Sequence, residues 1–199
     1  MNNDKSIVRA FLQKIFGNGG QALLNIITMK HIINSLVRMF QNALMVQPDG
    51  RLLRRSLINY VLAIGGSYAL VIIAYGVAIM AGIPAEALET PGVKINLWDF
   101  IGAVVFAPVV ETLLLAGLLA LITRRWGIVP KAIISAMIWG GLHAIAAPFW
   151  FFGTVFGFFV FSCSYMVWRQ KSFACGFAAA ALPHALINLS AFVLTAIFD

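Results

Sequence analysis

The sequence predicts an all-α, polytopic transmembrane bundle of about five spans, preceded by an amphipathic helix at the membrane interface. Three observations point there. Of 199 residues, 61% are hydrophobic and 11% charged, against roughly 45–50% and about 25% in soluble domains. The apolar residues fall in long runs separated by Pro and Gly. The basic residues fall almost entirely ahead of the first run and at alternate connections after it. At this length one membrane-embedded domain is expected. Cys163 and Cys175 stand apart without a CxxC or Cys/His cluster, which argues against a disulfide scaffold or a structural zinc site.

A spanning helix needs about 20 mostly apolar residues. Four runs meet this, 56–81, 98–122, 149–168 and 173–198, and a shorter one, 131–147, stops at Pro148. Pro84, Pro91 and Gly92 punctuate one connection, Gly127 and Pro130 another. The four aromatic residues from Phe149 to Phe152 suit either an interfacial turn or the start of the fourth span.

Charge tests the layout independently. With a cytoplasmic N-terminus, five spans place 13 of the 14 basic residues inside, among them Arg51, Arg54, Arg55, Arg124, Arg125, Lys131, Arg169 and Lys171. Lys94 alone falls outside, with Glu86, Glu89, Asp99 and Asp199. Cytoplasmic loops collect Lys and Arg in this way. The expectation is an integral protein of a bacterial inner membrane, N-terminus cytoplasmic and C-terminus outside. The net charge of +7 is spread between apolar runs, so it reads as a topology signal and no nucleic-acid partner is expected.

Residues 1–50 form a separate cytoplasmic segment ahead of the membrane domain, 51–199. Arg9, Gln13 and Lys14 interrupt any signal-peptide-like run. From Gln21 to Val46, Ile26, Met29, Ile33, Leu36, Val37, Phe40 and Leu44 recur at three- and four-residue steps, with Asn25, Lys30, Asn34, Arg38 and Gln41 between them. That pattern predicts an amphipathic helix lying in the interface or docking on a membrane partner. His31 belongs to this surface helix and carries no site.

Ionisable groups inside a bilayer are costly and mark function. Away from the span ends there are three acid/base candidates of interest: Glu111, His143 and His184. At about 1.5 Å per residue each lies ~16–18 Å from the cytoplasmic end of its own helix. Three helices thus place their acid/base groups at one level. Asn188 follows His184 by one turn on the same face, and Trp139 precedes His143 by one turn, where it can stack beside it. Pro108 and Pro183 flank the set and free backbone carbonyls there, so the cavity is expected to be wet.

A carboxylate with an imidazole can hold a water and take its proton. A second imidazole beside a carboxamide can donate to the oxyanion that forms when a carbonyl is attacked. No Ser or Cys nucleophile is well placed, since Ser135 and Cys163 lack a base at a suggestive spacing. Hydrolysis of an amide bond by activated water is the sharpest reaction these groups support.

At these residues the sequence resembles the CPBP (CAAX protease and bacteriocin-processing, or Abi) intramembrane proteases, whose eukaryotic members are the type II CAAX prenyl endopeptidases. The family pattern is EExxxR, then aromatic-xxx-His, then His-xxx-Asn/Asp. Ala107-Pro108-Val109-Val110-Glu111-Thr112 through Ala116 is similar to the first, Trp139 to His143 to the second, and His184 to Asn188 to the third. The resemblance implies that Glu111 and His143 activate water while His184 and Asn188 bind the oxyanion, acting on a membrane-associated peptide without a cofactor. Thr112 and Ala116 depart from the pattern, standing where the second Glu and the Arg would be. Those two residues lie one turn apart and can pair, so losing both orphans neither charge. Two alternatives stand beside this reading: zinc held by Glu111, His143 and His184 with an open fourth position, and a catalytically degenerate scaffold or carrier.

Overall fold

The structure is a computed structural model that describes residues 18–45, 48–89, 95–123 and 125–198. It is helical, and no strand occurs among the described residues. The chain divides into two compact units, Met1–Asn42 and Ala43–Asp199. The first contains most of helix α1, Asn18–Leu44. On this helix Ile26, Ile27, Met29 and Ile32 are exposed, as are Lys30, His31 and Arg38. The helix starts three residues before the expected Gln21 and ends two before Val46.

Five helices of the second unit are long and apolar enough to cross a membrane: α2, Leu52–Met80; α3, Leu97–Leu121; α4, Ile128–Ala146; α5, Trp150–Trp168; and α6, Phe173–Phe198. The molecule is therefore an integral membrane protein. Helix α2 begins four residues earlier than hydropathy places it, because Arg54 and Arg55 fit within its first turn. Asp49 accepts the Arg51 N–H at 3.1 Å and the Arg55 guanidinium at 3.3 Å just ahead of that turn. Helix α3 opens on Asn96, whose Oδ1 accepts the Asp99 N–H while its Nδ2 donates to Asp99 Oδ2, both at 2.9 Å. Helix α4 starts at Ile128 with Pro130 in its first turn, where a missing N–H is harmless. It ends before Pro148, and the chain reverses within Ala147–Phe149, so the aromatic run is turn at Phe149 and helix from Trp150.

Helix α5 is the centre of the unit. Half of its most apolar stretch is buried, the largest share among the five, and it packs against α2, α4 and α6. Small and hydroxylated residues let these helices meet. Ser162 Oγ donates to Ser135 Oγ at 2.9 Å across α5 and α4, and Asn59 Nδ2 donates to Ser164 Oγ across α2 and α5. Between α2 and α6, Ser190 Oγ gives its proton to the Leu186 carbonyl at 2.8 Å, so Tyr60 OH is the donor to Ser190 Oγ at 2.7 Å. In an apolar solvent, such bonds replace the hydrophobic drive that holds soluble helices together.

Candidate active site

Helix α3 carries Glu111, and its course there is irregular. Residues Ile101–Phe106 run as a π-helical segment, after which Ala107–Leu121 is α-helical. Pro108 lies at the junction and contributes no N–H. A π-bulge of this kind inserts a residue and re-aims the side chains that follow, and such bulges concentrate at functional sites. Glu111 stands three residues beyond the proline, with about a fifth of its side chain exposed.

Helix α4 supplies His143 from its last turn. The imidazole Nδ1 lies 2.9 Å from the Trp139 carbonyl. A carbonyl only accepts, so Nδ1 carries a proton, and in the neutral ring Nε2 is then the free acceptor. That Nε2 is 3.9 Å from Glu111 Oε2. Helix α6 supplies His184, buried, with its Nε2 at 3.8 Å from the same oxygen. One carboxylate oxygen therefore faces both imidazoles, beyond direct hydrogen-bond reach of either. Glu111 Oε2 is itself buried and has no hydrogen-bond partner. An orphaned buried carboxylate oxygen is expensive, and a native site that keeps one holds it ready for something else.

Asn188, one turn after His184, is placed differently. Its Nδ2 donates to the Ala103 carbonyl of α3 at 2.8 Å. Three of the four residues expected from sequence thus converge on one oxygen, and the fourth is bonded to backbone two turns away along α3.

Trp139 does lie beside His143, but its ring is not stacked face to face on the imidazole. Trp139 lies flat on Phe158 of α5, centroids 4.7 Å apart and planes 6° from parallel, while its ring is tilted 53° to His143 at 6.3 Å. Both rings are fixed by the α5 surface, which is flatter and larger than an imidazole. Phe158 also reaches His143 and His184, each at 5.4 Å. Phe161 stacks on His184 at 4.9 Å with planes 19° apart. The Phe-rich run of α5 has, in sequence, the character of lipid-facing or packing surface. Phe158 and Phe161 are its buried members and form the wall behind both imidazoles. Their spacing of three residues, one helical face, is the signal that sequence contains for them.

Thr112 is 1% exposed and Ala116 8% exposed, so the two departures from EExxxR sit on the inward face of α3, where a charged pair would have been desolvated. Ser135 is bonded to Ser162, and Cys163 is a buried free thiol, so neither approaches the site as a nucleophile. Among the described residues no group of three His, Cys, Asp or Glu side chains is arranged to hold a metal ion. A cavity of about 120 Å³ between α2, α5 and α6 is lined by Ser67, Tyr68, Val71, Gly153, Ile187 and Ala191, among others, and includes none of the four candidate residues.

Residues 93–190, just under half of the chain, match the family model described as Rce1-like, type II CAAX prenyl endopeptidase. The matched segment contains all four candidate residues, and the match supports the CPBP, or CAAX protease, family for it. The match supports a protease-type membrane enzyme. Neither a curated protein nor a solved structure matches the chain.

Proposed function

We propose that the protein is an intramembrane endopeptidase that cleaves a membrane-associated peptide with water activated by Glu111 and His143. The observation that carries this is the buried, unpartnered Glu111 Oε2 facing two imidazole nitrogens at 3.8 and 3.9 Å. Polar atoms at that separation suit a shared water. A water there gives one proton to Glu111 and the other, as a hydrogen bond, to the lone pair of His143 Nε2. Its oxygen then attacks the scissile carbonyl carbon. His184, in its Nε2–H form, donates to the oxyanion. Collapse of the tetrahedral intermediate breaks the C–N bond, and the proton held by Glu111 passes to the leaving amine, so no net proton is gained or lost. The match to a CAAX prenyl endopeptidase model favours a C-terminal, prenyl-bearing peptide as one class to try first. The amphipathic α1 has the composition of an interfacial segment that would sit where such peptides are anchored.

The test compares membrane fractions from cells making the wild-type chain with cells making Glu111→Gln, by mass spectrometry of peptide termini. A peptide cut in the first and accumulating intact in the second is the expected result, followed by a loss of about 10²–10⁴-fold in cleavage rate with purified protein. Identical peptide termini in the two strains would leave only the degenerate scaffold or carrier. Cleavage is expected to survive a zinc chelator. Loss that zinc alone restores would instead make Glu111, His143 and His184 metal ligands.

A further inference from the structure

The backbone bonds around Pro108 give Asn188 a second identity. The Ala107 N–H reaches back five residues to the Gly102 carbonyl. In that register the next carbonyl, Ala103 O, would be met by the N–H of residue 108. Residue 108 is proline, so that bond cannot form. Ala103 O is the acceptor that Asn188 Nδ2 fills at 2.8 Å. We propose that Asn188 is a positioning residue: its carboxamide replaces the missing amide at the π/α junction and thereby sets the turn that aims Glu111. The proposal rests on the hydrolase reading for its catalytic consequence, and on geometry alone for the junction itself.

Two further contacts make the assignment coherent. Phe192, one turn beyond Asn188, packs edge-on against Phe100 of α3 at 5.3 Å. His184, one turn before it, faces Glu111. One stripe of α6 thus grips α3 before the junction, at it and after it. A side chain committed to Ala103 O acts on the reaction through Glu111, whereas an oxyanion donor acts on substrate directly, and these two roles separate experimentally.

The experiment uses the full chain in lipid nanodiscs and reads backbone hydrogen exchange by mass spectrometry together with cleavage of whatever peptide the wild type cuts. Asn188→Leu keeps the side-chain shape and removes the donor. It is expected to speed exchange at least tenfold across residues 100–111, leave α5 unchanged, and lower kcat about tenfold or more with KM unchanged. Asn188→Gln, which keeps an amide, is expected to recover part of the protection. Adding Pro108→Ala to Asn188→Leu restores an N–H at position 108 and is expected to restore protection and part of kcat. A folded Asn188→Leu protein with wild-type exchange at residues 100–111 and no cleavage would overturn the proposal in favour of direct contact with the oxyanion. Failure of Pro108→Ala to restore protection would overturn it as well. Should the wild type cleave nothing while exchange responds as stated, the junction role stands and the hydrolase reading alone falls.

Discussion

His143 is held by aromatic faces as well as by its own hydrogen bond, and His184 by aromatic faces. His184 has no hydrogen bond to fix its plane among the described contacts, and Phe161 stacked on it at 4.9 Å does so instead, with Phe158 at its edge. His143 is tied by Nδ1 to the Trp139 carbonyl and backed by Phe158. Displacing an acid/base group by about 1 Å can cost ~10²-fold in rate. Phe158→Leu keeps most of the volume but loses the flat surface that touches both imidazoles and Trp139. It is expected to lower kcat by about 10–100-fold with little change in KM, measured on the same peptide as Glu111→Gln, whereas Val160→Leu on the same helix would serve as a repacking control. Glu111, His143 and His184 were legible in sequence because a titratable side chain inside an apolar run is costly to bury and persists there only with a role. Phe158 and Phe161 were legible only as a pair on one helical face, a spacing that Phe156 and Phe159 share, so the string does not say which pair faces inward. The partner of Asn188 was hidden for a different reason. The Ala103 carbonyl has no side-chain signature, and only the proline five residues later hints that it needs a donor.

At the scale of helices, close approach depends on a few glycines. A Cβ on Gly176 of α6 would lie 2.9 Å from the Tyr165 carbonyl oxygen and 3.0 Å from Arg169 Cα, both backbone atoms of α5 or its C-cap that cannot step aside. Gly176→Ala is expected to destabilise the protein by about 1–3 kcal/mol, read as a lower unfolding temperature in detergent. Gly65→Ala, with open space around it, is expected to change nothing. The Gly65-Gly66 and Gly140-Gly141 pairs each have one tight and one free member. Gly66 faces Phe156 and Gly140 faces Phe151 and Val155, while Gly65 and Gly141 meet nothing. Helix ends were legible to within a few residues, and the errors have physical causes. Hydropathy discards arginines that a first turn accepts, and it cannot see that α3 changes register inside one apolar run. The start of α2 supplies a pH test. The Arg51 N–H, and after it the Arg55 side chain, hold the Asp49 carboxyl below the usual carboxylate range. A group whose pKa is lower folded than unfolded stabilises above its unfolded value, here near 3.8, and loses that effect as pH falls through the folded one. Protection factors for the amides of Arg51–Arg55 are therefore expected to be constant from pH 7 to about 5 and to fall toward pH 3. Asp49→Asn should flatten the profile.

For the molecule as a whole, five spans and short connections force alternation. The starts of α2, α4 and α6 and the ends of α3 and α5 share one end of the bundle. That end carries Arg51, Arg54, Arg55, Arg125, Lys131, Arg169 and Lys171, and the opposite end carries Glu86, Glu89 and Asp99. The number of spans was legible because length, hydropathy and charge each fixed it separately. Which helix would lie at the centre was not, because by hydropathy α2 and α3 are the more apolar, whereas α5 is buried through the hydroxyls and aromatic faces it offers to three neighbours. The asymmetry of charge predicts orientation: the basic end in the cytoplasm, the acidic end outside. In a chain with Cys163→Ala and Cys175→Ala, a single cysteine at Glu86 is expected to react with a membrane-impermeant maleimide in intact cells. One at Arg125 or Lys171 is expected to react only after permeabilisation. The reverse pattern would turn the bundle over and place the α4 to α5 turn, beside His143 and Trp150, on the cytoplasmic side. Substrates would then have to be presented from the opposite face. The labelling pattern therefore decides which leaflet's peptides are worth testing for cleavage.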